Sequence, residues 1–236
     1  MDGERDLTGR ELASLLEWWA EAGVDAAVAE EPRSWLKPNA RPTADPDSSP
    51  VANVARPSHE TLAELRDWLA SSVQLPLASA TARRILPHGS EDAEIMLLSD
   101  SPALEDLASG QPIGGEAWKL AEKMLAAIGV RSDQSYSASL SCIHSPGARM
   151  SEEDRAACAE IARKHIALAK PKLLLLLGDG PCRALLGQPL VGARGHAQKL
   201  GGVRTVATFH PRWLLQRPSD KSKAWADLLL LMEEEA

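Results

Sequence analysis

No asparagine follows Asn53, the chain has one Phe and one Tyr against seven Trp, and cysteine is limited to Cys142, Cys158 and Cys182. Three cysteines at wide spacing argue against a secreted disulfide scaffold and against a complete four-thiolate metal site, so any metal would need other ligands. No long hydrophobic run is present: Leu173 to Leu177, extended by Gly178, falls far short of the roughly 18 residues that a membrane span needs. The opening residues MDGERDLTGRE carry too much charge for a signal peptide, which makes a cytoplasmic protein the expectation. What is present is ordinary for a soluble globular protein of 236 residues: 44% hydrophobic, 25% charged and a net charge of -7. One core-forming domain fits, with room for an appendage.

The negative sum hides a local excess of the other sign. Between Arg183 and Lys223 there are eight basic residues (Arg183, Arg194, Lys199, Arg204, Arg212, Arg217, Lys221, Lys223) and one acid, Asp220. Electrostatic footprints are local, and this stretch suits a phosphate backbone.

Along the chain, residues 8–30 place Leu12, Leu15, Leu16, Trp19 and Val24 at near-helical spacing behind a Thr8/Glu11 capping pattern, so residues 1–36 read as a helical appendage. Residues 37–57 are rich in Pro, Ala, Ser and Asp without apolar periodicity and read as a flexible linker, leaving 58–236 as the main domain. Ser58 with Glu60 and Glu64 opens a helix to about Ala70, and a turn is expected around His88-Gly89. Strand and helix then alternate. Strands are expected at Glu94–Leu98, Ser135–Ser141, Lys172–Leu177 and Val203–Thr208. Helices are expected at Gly115–Ile128, from Ser151 to about Ala169, at Gly180–Leu186, and from about Ser219 to Glu234 after a His-Pro loop. This alternation predicts an α/β protein, a three-layer α/β/α fold with a central, mostly parallel sheet. Sites in such sheets lie at the carboxyl ends of the strands. Three of those ends carry unusual residues expected to converge: Ser99-Asp100-Ser101-Pro102, Leu140 to Pro146, and Phe209-His210-Pro211.

Those residues carry a resemblance. The stretch IMLLSDSPALED followed by GQPIGGEAWKLAEKMLAAIG resembles the first motif and following helix of the iron-sulfur (family 4 type) uracil-DNA glycosylases. The stretch SCIHSPG with SEEDRAACAEIARKHIALAKPKLLLLLGDGPCRALLG is similar to that family's middle section, and RG with TFHPRWLLQRPSDKSKAWADL to its closing motif. The similarity runs from about Ser72 to Met232, with all three blocks in order. It implies a protein that binds DNA, flips a deoxyuridine into a pocket and hydrolyses the base-to-sugar bond, which is unreachable inside the stack.

Carried over residue by residue, the resemblance makes His210 the histidine that contacts the base's O2 and steadies developing negative charge, against the alternative of a histidine that only caps a strand end. Asp100 stands where the family has Glu. It either holds the attacking water or stabilises a cationic sugar, or it is simply a turn residue. Ser101 and Pro102 join Ile113, Tyr136 and Ala138 in the expected base pocket. Ile113 replaces the stacking Phe, with Tyr136 as the only phenol near enough to compensate, and Ala138 replaces the Asn that reads the uracil edge, leaving Gln111, Gln134 or another Gln as the only amides. Arg194, Arg212, Trp213, Leu214, Arg217 and Lys221 are expected on DNA, with either Leu214 or Leu215 as an apolar wedge and its neighbour packed beneath the last helix.

The family holds a four-iron four-sulfur cluster with four cysteines. Cys142 and Cys158 match two of them, while Ser72 and Leu75 stand at the other two positions, so no metal and no cluster are expected. Two DNA-binding readings follow, beside a blander third in which the appendage and linker recruit a partner, DNA binding is weak and the protein is a structural or protein-interaction module. One is a divergent, cluster-free glycosylase acting on uracil or another deaminated base in base-excision repair. The other is a catalytically degenerate DNA-binding protein of the same fold. In both the partner is DNA and not a membrane, with the N-terminal helix as a candidate site for a protein partner.

Overall fold

The computed structural model describes residues 59–79, 82–144 and 150–233. The appendage and linker expected at 1–36 and 37–57 lie outside the described residues. Helix α1 (Leu62–Ser71) leads through the short strands β1 (Arg83–Arg84) and β2 (His88–Gly89) to β3 (Ile95–Ser99), α2 (Leu104–Ser109) and α3 (Gly115–Ala127). Then come β4 (Ser135–Ser139), β5 (Ile143–His144), α4 (Glu152–Ala169), β6 (Leu173–Leu177), α5 (Asp179–Leu186) and α6 (Leu190–Ala193). The chain closes with β7 (Ala197–Leu200), β8 (Val203–Thr208), α7 (Pro211–Gln216) and α8 (Lys221–Met232).

The main sheet has the order β2-β4-β3-β6-β8-β7. Its four central strands are parallel, and the short edges β2 and β7 run antiparallel to their neighbours. Five consecutive leucines form β6 because a central parallel strand is covered on both faces and needs no polar side. Leu174 and Leu176 point with Met96, Leu98 and Ala138 toward α4, α5 and α6, while Leu175 and Leu177 point with Ile95 and Leu97 toward α3 and α8. Each such leucine, removed from water, stabilises the fold by about 1.5–3 kcal/mol. A satellite cluster of Leu65, Leu69, Leu75, Cys142, Ile143 and Ile161 seats α1 against α4.

The helix boundaries follow their local chemistry. Ser151 caps α4 as expected, its hydroxyl accepting from the Asp154 N–H with three acids in the first turn to meet the helix dipole. Lys170 ends it in a left-handed conformation just before Pro171. For α1 the cap is Thr61 paired with Glu64, a complete capping box. Ser58, the expected opener, lies outside the described residues.

Among the elements that differ from expectation, three lie where the edge or end of a sheet carries a weaker pattern than its centre. His88-Gly89 is an edge strand, not a turn, and its glycine is required: a Cβ there would stand 2.1 Å from the Ser135 carbonyl oxygen. Ala197–Leu200 is a polar hairpin edge. The His-Pro loop is instead the N-terminus of α7, because proline at the first helical position and a capping residue before it start a turn of helix. No helix among the described residues is long and apolar enough to cross a membrane.

A buried polar pair lies between β4 and α4. The Tyr136 hydroxyl is 2.8 Å from Nε2 of His165, with the rings edge to face. Burial pushes the Tyr136 phenol up and His165 down to about 4, the Arg66 cation adding to the latter, so the histidine is neutral and its Nε2 accepts from the phenol. In the unfolded chain the same imidazole protonates near 6.5. The unfolded state therefore binds the extra proton between about 6.5 and about 4, and this share of stability is intact above that window and lost as pH falls through it. Urea unfolding at pH 7, 5.5 and 4.5 is expected to show falling stability, with a shallower fall for His165→Gln.

Candidate functional site

The parallel register sets the site. Beyond the end of the β3/β4 pairing, the Leu140 N–H donates to the Ser99 carbonyl at 2.9 Å, and beside it the Gly178 N–H donates to the Thr208 carbonyl, also at 2.9 Å. The carboxyl ends of β3, β4, β6 and β8 thus lie side by side, as the sequence predicts.

Asp100, Ser101 and Pro102 leave β3 and line an open cavity of about 480 Å³, shared with His144, Arg155, Asp179 and Arg183. The Asp100 carboxylate lies directly against the backbone of α5, where a Cβ on Gly180 would stand 2.2 Å from its Cγ. Glycine at 180 is therefore what makes room for it. Desolvation raises the Asp100 carboxyl above the usual range; Arg155 opposes this and Asp179 adds to it. Asp179 itself is paired with Arg183 and accepts the Leu190 N–H at 2.8 Å. Across the cavity, Nδ1 of His144 lies 2.7 Å from the Pro102 carbonyl oxygen.

His210 caps α7. Its Nδ1 accepts the Arg212 N–H at 3.1 Å, so the proton of the neutral ring sits on Nε2. Burial, reinforced by the Arg212 cation and opposed by Asp106, holds the ring down to about 4. It is a neutral hydrogen-bond donor at physiological pH. A Cβ on Gly178 would lie 3.8 Å from its Cβ, which places it at the end of β6.

A residue that sequence reasoning passed over organises both motifs. Asp106, 1% exposed on the first turn of α2, accepts the Ala103 N–H on Oδ2 and the Gly114 N–H on Oδ1, each at 2.7 Å. Arg212 reaches both oxygens with its NH2 nitrogen at 2.9 Å. The only signal in the sequence was the Glu105-Asp106 pair inside the first motif.

Arg212, expected on phosphate, is thus turned inward. Arg194 behaves alike, paired at 2.8 Å with Asp227, itself 2% exposed, and stacked 4.2 Å over the Phe209 ring. Of the expected DNA-facing residues, Trp213 is 39% exposed, flanked by Phe209 and by Arg217 at 4.6 Å. Lys221 is exposed and lines, with Leu215, a groove beside α3. Leu214 is 1% exposed and Leu215 42%, so Leu214 is the packed residue of the pair and Leu215 the one offered outward.

The expected base pocket is not brought together in the same way. Ile113 and Ala138 are each fully buried, in clusters on opposite faces of the sheet. Tyr136 is spent on His165. Ser99 fills the strand-end space with its own contacts, 3.1 Å to the Ser139 hydroxyl and 3.4 Å to the carbonyls of Pro112 and Ala138.

Cys142 and Cys158 line one small cavity with Leu69 and Leu75, about 20 Å³, the room of a single water. Leu75 is 6% exposed in the apolar cluster there, and the Ser72 hydroxyl accepts the Gln74 N–H at 3.1 Å. Burial pushes the Cys142 thiol up to about 11 and Cys158 to about 12. Cys182 is also buried and pushed up to about 12. Among the described residues no group of three His, Cys, Asp or Glu side chains is placed to hold a metal ion. The residues at these positions do not fit a four-cysteine cluster. Anaerobic reconstitution with ferrous iron and sulfide is expected to give no cluster absorption band in the visible spectrum.

Fold and site together define an α/β/α protein whose titratable groups gather where parallel strands end and helices begin. Residues 86–229 match the profile of the family described as "Uracil DNA glycosylase superfamily". The chain belongs to that superfamily. It is 26% identical over 151 residues to the Type-4 uracil-DNA glycosylase of Thermotoga maritima, spanning 62% of this chain and 79% of the relative. The corresponding protein of Archaeoglobus fulgidus is 24% identical over 150 residues, 59% of this chain and 75% of the relative. That of Sulfurisphaera tokodaii is 26% identical over 172 residues, 68% and 78%.

Proposed function

We propose that this protein is a divergent uracil-DNA glycosylase of base-excision repair, which takes a deaminated base out of the DNA stack and hydrolyses its bond to the sugar. The observation that carries this reading is His210: a neutral imidazole whose Nδ1 is occupied by the Arg212 N–H, which leaves Nε2–H to donate. As the C1′–N bond lengthens, the base gathers negative charge on its carbonyl oxygens, and a donor already aimed at that charge lowers the barrier without reorganising. Asp100 supplies a carboxylate for the sugar side, with Ser101 and Pro102 as part of the surrounding wall. Arg217 and Lys221 meet phosphate, and Leu215 fills the space that the base leaves in the stack. The relatives named Type-4 uracil-DNA glycosylase support uracil as the first base to test.

The reading is tested by excision from a labelled uracil-containing oligonucleotide, single-stranded and paired with G, with alkaline cleavage of the abasic product. Activity that disappears in His210→Ala and Asp100→Ala is expected. A second reading, a DNA-binding protein that has lost hydrolysis, is favoured by the burial of Ile113 and Ala138, which offer neither an aromatic face nor an amide. DNA bound with a steep salt dependence but never cleaved would select it.

A further inference from the structure

His144 has a tautomer that its surroundings determine. A ring nitrogen 2.7 Å from a carbonyl oxygen must donate, so Nδ1 carries the proton given to Pro102, and in the neutral tautomer this selects, Nε2 is the nitrogen with the lone pair. Nε2 has no hydrogen-bond partner among the described residues, and the ring lines the cavity that Asp100 also lines. The tether matters as much as the lone pair, because Pro102 is two residues from Asp100. One histidine therefore ties down the loop that carries the carboxylate and lines the same cavity as that carboxylate.

Resting on the glycosylase reading, we infer that His144 holds the attacking water, its Nε2 and the Asp100 carboxylate each accepting one of the water's two hydrogens in the cavity at the end of β3. A water with both protons so engaged presents its oxygen lone pair outward, toward a sugar whose base has been drawn to His210. The water oxygen bonds to C1′ as the C1′–N bond breaks. Its proton passes to Asp100, whose buried setting favours the protonated form, and the base leaves as an anion beside Nε2–H of His210. His144 keeps its own proton on Nδ1 throughout. The other charges around it are Arg155 from α4, Asp179 and Arg183 from α5, and Arg83, its cross-strand neighbour on β1. A structural role alone, stitching β5 to the first-motif loop, would use Nδ1 and leave Nε2 idle.

That difference sets the test. His144→Asn keeps a side-chain N–H near the Nδ1 position and removes the acceptor at Nε2. It is expected to lower single-turnover excision by about 10- to 100-fold, the scale of a mispositioned nucleophile, with DNA affinity and melting temperature unchanged. Full activity in His144→Asn overturns the inference. Independently of turnover, 15N NMR of the wild-type protein is expected to show His144 with an unprotonated Nε2. That signal should shift when the protein binds an oligonucleotide carrying a cationic pyrrolidine in place of the abasic sugar, and an unmoved signal overturns the inference. A wild type that excises nothing yet shows this shift removes the proposed activity and keeps the water site, whereas no excision and no shift removes both.

Discussion

Replacing His210 by alanine is expected to reduce single-turnover excision by about 10² to 10³, or roughly 2.7–4 kcal/mol, the size of the loss when one preorganised donor to a developing anion is removed. Alanine also deletes the α7 cap, worth about 0.5–2 kcal/mol of stability, so it confounds two effects. His210→Asn separates them. Its side-chain oxygen can still accept the Arg212 N–H, but it cannot reach the Nε2 position, so it should fold like the wild type and excise like the alanine variant. The pH profile adds a sign. Since the ring is held down to about 4, it remains a neutral donor as pH falls from 7 toward 5. Activity should therefore show no loss attributable to His210 across that range. A His210→Asn enzyme with wild-type excision would show that the imidazole is only a cap.

The second large effect is expected at Asp106. Its carboxylate is buried and answers two backbone N–H groups and the Arg212 guanidinium. Asp106→Ala leaves a cation without its anion and two donors without acceptors, and breaking such a buried pair from one side costs about 3–5 kcal/mol. That is a large part of the total stability of a domain this size. A lowered urea midpoint with an unchanged slope would register it. Removing both partners in Asp106→Ala/Arg212→Met should cost less than the two single changes added together, because the orphaned guanidinium disappears with its partner. Strictly additive losses would mean that the pair is a coincidence of packing.

The layers of the fold were legible in the sequence where one rule sufficed. Leu173–Leu177 can only be a strand covered on both faces, and Ser151 with three following acids can only start a helix, so β6 and α4 are found within a residue of their expected bounds. The short edges β2 and β7 were not legible, since an edge strand is recognised by its neighbour and not by its own pattern. In the site, His210 and Asp100 were legible as strand-end residues within matched motifs. The basic stretch from Arg183 to Lys223 was legible as charge, but a count of basic residues does not say where each one points. Arg183, Arg194, Arg212 and Lys223 are each paired with a carboxylate, and three of those partners, Asp106, Asp179 and Asp227, lie outside the stretch. Leu214 and Leu215 could be told apart only once α7 was known to be helical, which turns Leu214 inward beside Pro211. His144 needed the third dimension, since its partner Pro102 lies 42 residues away.

The contact between Arg212 and Asp106 spans 106 residues of sequence. A nascent chain that has made the first motif, and even all of α3 and α4, still lacks the cation that draws that motif against the end of β8. Asp106 must wait in water until the closing helix emerges. The candidate site is therefore among the last things the polypeptide acquires, and a chain cut just short of Arg212 has every strand of its main sheet but not the cation that pairs with Asp106.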